Sequence, residues 1–366
     1  IKELAILLSN FRTHLFMDHD RYLPLIQTEL KKLPVYIRDF YLQTNHSITT
    51  IYQYLTEFRR FFNWLRESGI SDAKENQAIK VETLAKLRRS DIMLYIDFLK
   101  HSKNKQGRVN SPTSINRSIN ALRSLFKFLT VTADTEDGKP YFTNNVMLKI
   151  DSLNTTETLN YRAHNLETHM YTGERKYEFI DFIENEYEKN CDPRALTAFK
   201  KNKERDICIA AMILGTGIRV SEAANVNVED LHLEDAMLDV TRKGGMRDSV
   251  PIAPWVVQYV ERYAKIRQDR YNPPKDQKAF FVTEYHGEVR RITYNSIEKL
   301  IKKYSTAFGH PLTPHKLRHT LASELYEITK DRVLVSQQLG QKGTSATDLY
   351  THGNQEAQKD ALRKLT

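Results

Sequence analysis

Apolar residues recur at intervals of three and four through most of the first 130 positions, separated by short polar stretches. That spacing puts one apolar stripe on a helix. It predicts helices over 1–16, 22–32, 49–68, 90–100 and 111–130. The pattern over 49–68 is strong. Ile51, Leu55, Phe58, Phe62 and Leu65 share one side, Ser47 to Thr50 open the segment, and Gly69 is suited to closing it. Ser90 is a candidate cap for the next helix, and Ile115, Ile119, Leu122, Leu125, Phe126 and Leu129 form the stripe of 111–130. Periodicity then fades over about 131–170, where Asp, Asn, Thr and Glu dominate. A helical domain over 1–150, a linker over 151–172 and a second domain over 173–366 follow as expectations.

The second half mixes periods. Helices are expected over 172–188, 255–267 and 293–305. The continuous apolar run 207–214 reads as a buried helix stopping at Gly215-Thr216-Gly217, with a restart from Ile218. Alternation over 237–241 predicts a strand. It returns over 249–252 after the basic glycine turn Arg242-Lys243-Gly244-Gly245, and a further short strand is expected over 279–283. Thr313-Pro314 opens a helix, the threonine as cap and the proline at the first helical position. A last helical pattern covers 354–365, with Ala357, Ala361, Leu362 and Leu365 on one side. The predicted class is mainly α: a helical bundle followed by a mixed α/β, mostly helical domain with a small antiparallel sheet.

Charge narrows the partners. The 366 residues hold 55 Lys and Arg against 46 Asp and Glu, a formal charge of +9. A basic chain favours a nucleic-acid partner. Arg59, Arg60, Arg117, Arg123 and Lys127 decorate predicted helices, Lys103, Lys105 and Arg108 occupy a polar loop, and Arg242 lies on the glycine turn. Any one of these charges alone reads as a solvated face; together they suggest a surface that meets phosphates. Two cysteines, Cys191 and Cys208, show no metal-site spacing and no disulfide framework, and a reducing, cytoplasmic setting is the default expectation. No apolar run is long enough to span a bilayer.

Four cationic or proton-carrying residues of the second half suit phosphate chemistry. Arg219 follows a Gly-Thr-Gly turn at a helix start, and Lys243 lies on a hairpin turn. His315 and Arg318 are three apart on one helical face. Tyr350 follows a polar, glycine-containing turn. Paired arginines can clamp a phosphodiester and offset transition-state charge. A lysine can protonate a leaving oxygen, and a tyrosine can hold the phosphoryl group covalently. Such chemistry requires neither metal nor ATP. The phenols Tyr285, Tyr304 and Tyr326 lack the upstream turn and are expected to pack.

The runs Gly217-Ile218-Arg219-Val220-Ser221-Glu222, Thr241-Arg242-Lys243-Gly244-Gly245, His315-Lys316-Leu317-Arg318-His319-Thr320, Leu339-Gly340 and Asp348-Leu349-Tyr350-Thr351-His352 stand in the order and spacing of the tyrosine recombinase (integrase) family. The chain resembles its Xer type, and most of all the single-protein XerS branch. The resemblance implies that the first domain is a SAM-like core-binding domain and that Arg219 and Arg318 bind the scissile phosphate. It also implies Lys243 as general acid, His315 assisting proton transfer, Tyr350 as nucleophile and Glu222 supporting Arg219, with His319 either packing nearby or supporting a neighbouring site residue. The family usually carries His or Trp where this chain has Gln341, after Leu-Gly and nine residues before the tyrosine. The implied partners are double-stranded DNA at an inverted-repeat, dif-like site, three further copies of the chain in a tetramer docked through the 354–365 helix, and a cell-division DNA translocase. The implied setting is the bacterial nucleoid. A phage or transposon integrase remains open, as does a DNA-binding protein on the same scaffold with weak or absent catalysis.

Overall fold

The computed structural model describes residues 16–103, 107–133, 135, 137–154, 157–158, 161–163, 165, 170–242, 244–341, 343 and 363. The chain divides into two compact units, Ile1–Thr156 and Glu157–Thr366. Among the described residues, no helix is long and apolar enough to cross a membrane.

The first unit is helical: α1 (Phe16–Leu30), α2 (Val35–Gln43), α3 (Ile48–Glu67), α4 (Val81–Ala85), α5 (Arg89–His101) and α6 (Pro112–Lys127). The expected helix over 1–16 lies almost wholly outside the described residues. α3 starts where Ser47 Oγ accepts the Thr50 N–H at 3.3 Å and ends before Gly69, whose φ of +73° continues no helix. Its stripe is buried among Phe40, Tyr95, Leu122 and Phe126. Phe40 meets Phe58 edge-on at 5.3 Å, and Tyr95 meets Phe61 at 4.9 Å. α5 begins one residue before the expected Ser90 cap, because Asp91 accepts the Arg88 N–H at 2.8 Å. α6 gives way at Phe128 to a π-helical turn, Phe128–Thr132, rather than continuing regularly to 130.

The second unit runs α7 (Arg175–Asp181), α8 (Tyr187–Asn190), α9 (Pro193–Thr216), α10 (Val220–Asn225), β1 (Leu231–His232), β2 (Met237–Thr241), β3 (Arg247–Pro251), α11 (Pro254–Tyr271), β4 (Val282–Tyr285), β5 (Glu288–Arg291), α12 (Tyr294–Ala307), α13 (Pro314–Thr329) and α14 (Arg332–Leu339). The expected helix over 207–214 is the buried end of α9, a single helix of 24 residues. The polar stretch before it stays helical because its charges find partners inside. Arg205 Nη2 donates to Asp206 Oδ1 at 2.7 Å, and buried Tyr304 donates to Asp206 Oδ2 at 2.7 Å. β1, β2 and β3 form an antiparallel sheet with Leu238 opposite Val250 and Thr241 opposite Arg247.

A second hairpin, β4–β5, replaces the single strand expected over 279–283. His286 and Gly287 turn it with φ of +51° and +80°. Its return strand is too charged to show alternation. Tyr285 at this turn is exposed beneath the Arg290 guanidinium, 4.2 Å from the ring centroid, and does not pack into the core as expected. α9 runs through the core of this unit, close against α11: a Cβ on Gly215 would lie 2.2 Å from Val256 Cγ2.

Candidate active site

Local signals set each site residue. Gly217 ends α9 with φ of +67°, and its carbonyl oxygen accepts Arg318 Nη1 at 2.7 Å. Two residues later, Arg219 is the last extended position before α10. Glu222, on the first turn of that helix, accepts the Arg219 N–H at 2.8 Å and the Arg219 guanidinium at 2.7 Å. The Thr313 hydroxyl accepts the Lys316 N–H at 3.4 Å and starts α13, which presents His315, Arg318 and His319. Asp331 starts α14 by accepting the Val333 N–H at 2.7 Å, and Gly340 ends it with φ of +56°.

These pieces meet around Glu222. Its carboxylate is 3% exposed and touches three arginines: Arg219 at 2.7 Å, Arg242 at 2.9 Å and Arg318 at 4.0 Å. Arg318 is also held by the Leu339 carbonyl at 2.7 Å. Arg219 Nη2 reaches the Gly340 carbonyl at 3.4 Å, and its side chain is the most open of the three arginines. Buried guanidinium groups fixed by carbonyls cost little reorganisation when an anion arrives. Gln341, next in the turn, donates its N–H to the Ser336 carbonyl at 3.0 Å, and its side-chain Oε1 is buried without a hydrogen-bond partner among the described residues.

His315 and His319 lie one turn apart, with their Nε2 atoms 2.9 Å from each other. One nitrogen carries the hydrogen and the other accepts it, so the two tautomers are linked. Partial desolvation, then the Arg318, Lys316 and Arg219 charges, holds the His315 pKa below the usual histidine value, although the residue keeps solvent contact. Burial, then His315 and the neighbouring cations, lowers His319 to about 3. Both rings are therefore neutral at pH 7. His319 thus supports His315 through a direct hydrogen bond.

Of the expected site residues, the structure brings Arg219, Glu222, His315, Arg318, His319 and Gln341 together. Lys243, Tyr350 and all of 354–365 except residue 363 lie outside the described residues. One assignment is corrected. Arg242, expected among the DNA-facing cations, is 4% exposed in its side chain, and its donors are taken by Glu222, Asp248 and the Gln338 carbonyl. The first-unit cations divide. Arg59 pairs with Glu29 at 2.6 Å, Arg60 with Glu57 and Ser118, and Arg123 with Ser152 and the Ile150 carbonyl. Lys103, Arg108, Arg117 and Lys127 are exposed, and Lys105 lies outside the described residues. Sequence reasoning also missed Gln338, whose amide donates to the Thr216 carbonyl at 2.9 Å and ties α14 to the end of α9. A glutamine at a helix end offers no sequence signal for such a contact.

Comparison with known proteins fits this geometry. Residues 187–357 match the phage integrase family, and residues 34–132 match the phage integrase N-terminal SAM-like domain. The chain is 45% identical over 359 residues to tyrosine recombinase XerS of Streptococcus thermophilus (strain CNRZ 1066), covering 95% of this chain and 100% of the relative. It is 46% identical over 340 residues to XerS of Streptococcus uberis (strain ATCC BAA-854 / 0140J), covering 91% and 96%. Its fold resembles that of XerH site-specific recombinase bound to a palindromic difH substrate, with TM-score 0.63 and 18% identity over 86% of this chain and 78% of the other. The SAM-like helical domain and the integrase catalytic fold implied by the sequence are thus both present. The chain belongs to the phage integrase family, as a site-specific DNA recombinase of the tyrosine type on the Xer branch that contains XerS.

Proposed function

We propose that this recombinase cleaves and rejoins DNA at an inverted-repeat, dif-like site through a 3′-phosphotyrosine on Tyr350, and that it resolves chromosome dimers. The supporting observation is the convergence of Arg219 and Arg318, from separate elements, on Glu222, with Arg219 also reaching the Gly340 carbonyl next to Gln341. Two fixed guanidinium groups suit the non-bridging oxygens of a phosphodiester. In the cleavage step the Tyr350 oxygen–phosphorus bond forms as the phosphorus–O5′ bond breaks. The phenolic proton passes toward neutral His315, and Lys243 supplies the proton taken up by the 5′ oxygen. One phosphoester replaces another, so a 5′ hydroxyl from the partner duplex reverses the step without ATP. Four protomers on two sites, linked by the 354–365 helix, and activation by a cell-division DNA translocase complete the proposal. Exposed Arg117, Lys127, Lys103 and Arg108 are the proposed backbone contacts of the first unit.

A nicked suicide duplex carrying a dif-like site tests this reading. The unchanged chain is expected to form a covalent protein–DNA adduct, and Tyr350→Phe none. Tight DNA binding with no adduct from either would instead support a DNA-binding protein on the recombinase scaffold.

A further inference from the structure

We propose that Arg242 is the positioning residue of the phosphate cradle: it fixes Glu222, and so Arg219, and it seats the turn that carries Gln341. This deepens the phosphotyrosine reading and rests on it.

Arg242 follows the last residue of β2, where a side chain on a basic glycine turn would ordinarily face solvent. Its guanidinium instead points inward and donates in three directions. Nη1 reaches Glu222 Oε2 at 2.9 Å, Nε reaches Asp248 Oδ2 at 2.8 Å, and Nη2 reaches the Gln338 carbonyl at 3.1 Å. Glu222 is consequently gripped from two sides. Oε1 receives the Arg219 guanidinium, while Oε2 is shared between the Arg219 N–H and Arg242. A carboxylate held on both oxygens cannot swing, and Arg219 inherits that fixity. Asp248 offsets the charge Arg242 brings, which leaves the Glu222 charge to be shared with Arg219 and Arg318.

The same group supports the turn. A Cβ on Gly340 would lie 2.3 Å from Arg242 Nε and 2.5 Å from Cζ, so the guanidinium lies directly against that glycine. Gly340 in turn offers its carbonyl to Arg219 and precedes Gln341. Arg242 thus touches Glu222, the end of α14 and the return strand of the hairpin together. Lysine cannot reproduce this, because its ammonium is a point charge on a flexible stem rather than a planar fork.

The test is Arg242→Lys in the full chain, on suicide duplexes whose scissile group is either the ordinary phosphodiester or a methylphosphonate. The methylphosphonate carries a methyl in place of one non-bridging oxygen, so less charge develops at phosphorus and alignment of Arg219 matters less. The expected result on the diester is a cleavage rate at saturating DNA lowered about 10²-fold, with DNA affinity unchanged. On the methylphosphonate the defect shrinks to about tenfold or less. Asp248→Asn, which loosens Arg242 without removing a buried cation, is expected to give a smaller defect with the same preference. Weakened DNA binding at an unchanged saturated rate would make Arg242 a DNA contact. Equal defects on both substrates would make it a structural residue only, and either result overturns the inference. If the unchanged chain forms no adduct on the diester, the phosphotyrosine reading fails and this inference falls with it.

Discussion

Arg219 and Glu222 are joined twice: the arginine's Nη1 donates to Oε1 at 2.7 Å and its backbone N–H donates to Oε2 at 2.8 Å. One carboxylate thus caps the first turn of α10 and aims the guanidinium that its own cap residue carries. Glu222→Gln keeps the shape and loses the charge. It is expected to slow adduct formation about tenfold, or ~1.4 kcal/mol of barrier, in single-turnover cleavage. Glu222→Ala leaves Arg242 buried without its partner on that side, and denaturant unfolding should show a loss of about 3–5 kcal/mol. A Glu222→Gln chain cleaving at the unchanged rate would remove the carboxylate from the catalytic account.

The linked imidazoles predict a pH signature. In the folded chain the His319 pKa is about 3, against 6.5 for an ordinary histidine. Below pH 6.5 the unfolded chain takes up a proton that the native chain refuses. The stabilisation from neutral His319 is therefore complete above 6.5 and is lost as pH falls toward 3, with a slope of up to about 1.4 kcal/mol per pH unit. Urea unfolding between pH 4 and 7.5 should show that slope, and His319→Gln should flatten it. Cleavage by neutral His315 should persist below pH 6.5, since its pKa is also lowered, and fail only when the ring protonates. A cleavage midpoint above pH 6.5 would contradict this assignment.

Gly217 holds a carbonyl that fixes Arg318 and does so at a positive φ. A Cβ there would lie 2.8 Å from Leu339 Cδ2 and 3.0 Å from Leu321 Cδ2. Left-handed backbone costs a side-chain-bearing residue about 1–2 kcal/mol, and the clash adds to it. Gly217→Ala should therefore lower the melting temperature and slow cleavage together, because relief of the clash moves the carbonyl away from Arg318. A chain that loses stability but cleaves normally would show that the carbonyl's position is not limiting.

The residues proposed to carry the site chemistry were largely legible in the sequence, as was Glu222, but most of the contacts that hold them were not. Arg219, His315 and Arg318 sit beside local punctuation: the Gly-Thr-Gly stop, and the Thr313 cap with Pro314. The cap and stop of α3 were likewise readable from Ser47 and Gly69. Contacts distant in sequence left no such mark. Arg242 reads as a surface cation because its neighbours are Lys243 and two glycines, yet its bonding partners lie as far away as α14. The second hairpin was missed for a related reason, since Glu288, Arg290 and Arg291 conceal the alternation of β5. Only the apolar end of α9 shows in the sequence because Arg205 and Asp206 look like a polar break, although they neutralise each other inside the core.

Gln341 gives the sharpest test of the cradle. Its Oε1 is buried with no partner among the described residues, a condition that costs about 1–3 kcal/mol when nothing compensates it. A half-turn of the amide exchanges oxygen for nitrogen and presents a donor at the same place, where a phosphate oxygen would accept it. Gln341→Ala should then leave DNA binding and folding intact, or stabilise the free chain slightly, while slowing cleavage about 10²-fold. Gln341→His keeps a donor and adds a ring that can be charged. It should cleave faster than the unchanged chain, by a margin that widens as pH falls toward 6.5. Parallel single-turnover assays of the three chains over pH 6 to 8 decide the matter. If Gln341→Ala cleaves at the unchanged rate, residue 341 is a spacer and the arginines alone hold the phosphate. If Gln341→Ala is slow and Gln341→His is no faster than the glutamine, a neutral donor suffices at that position.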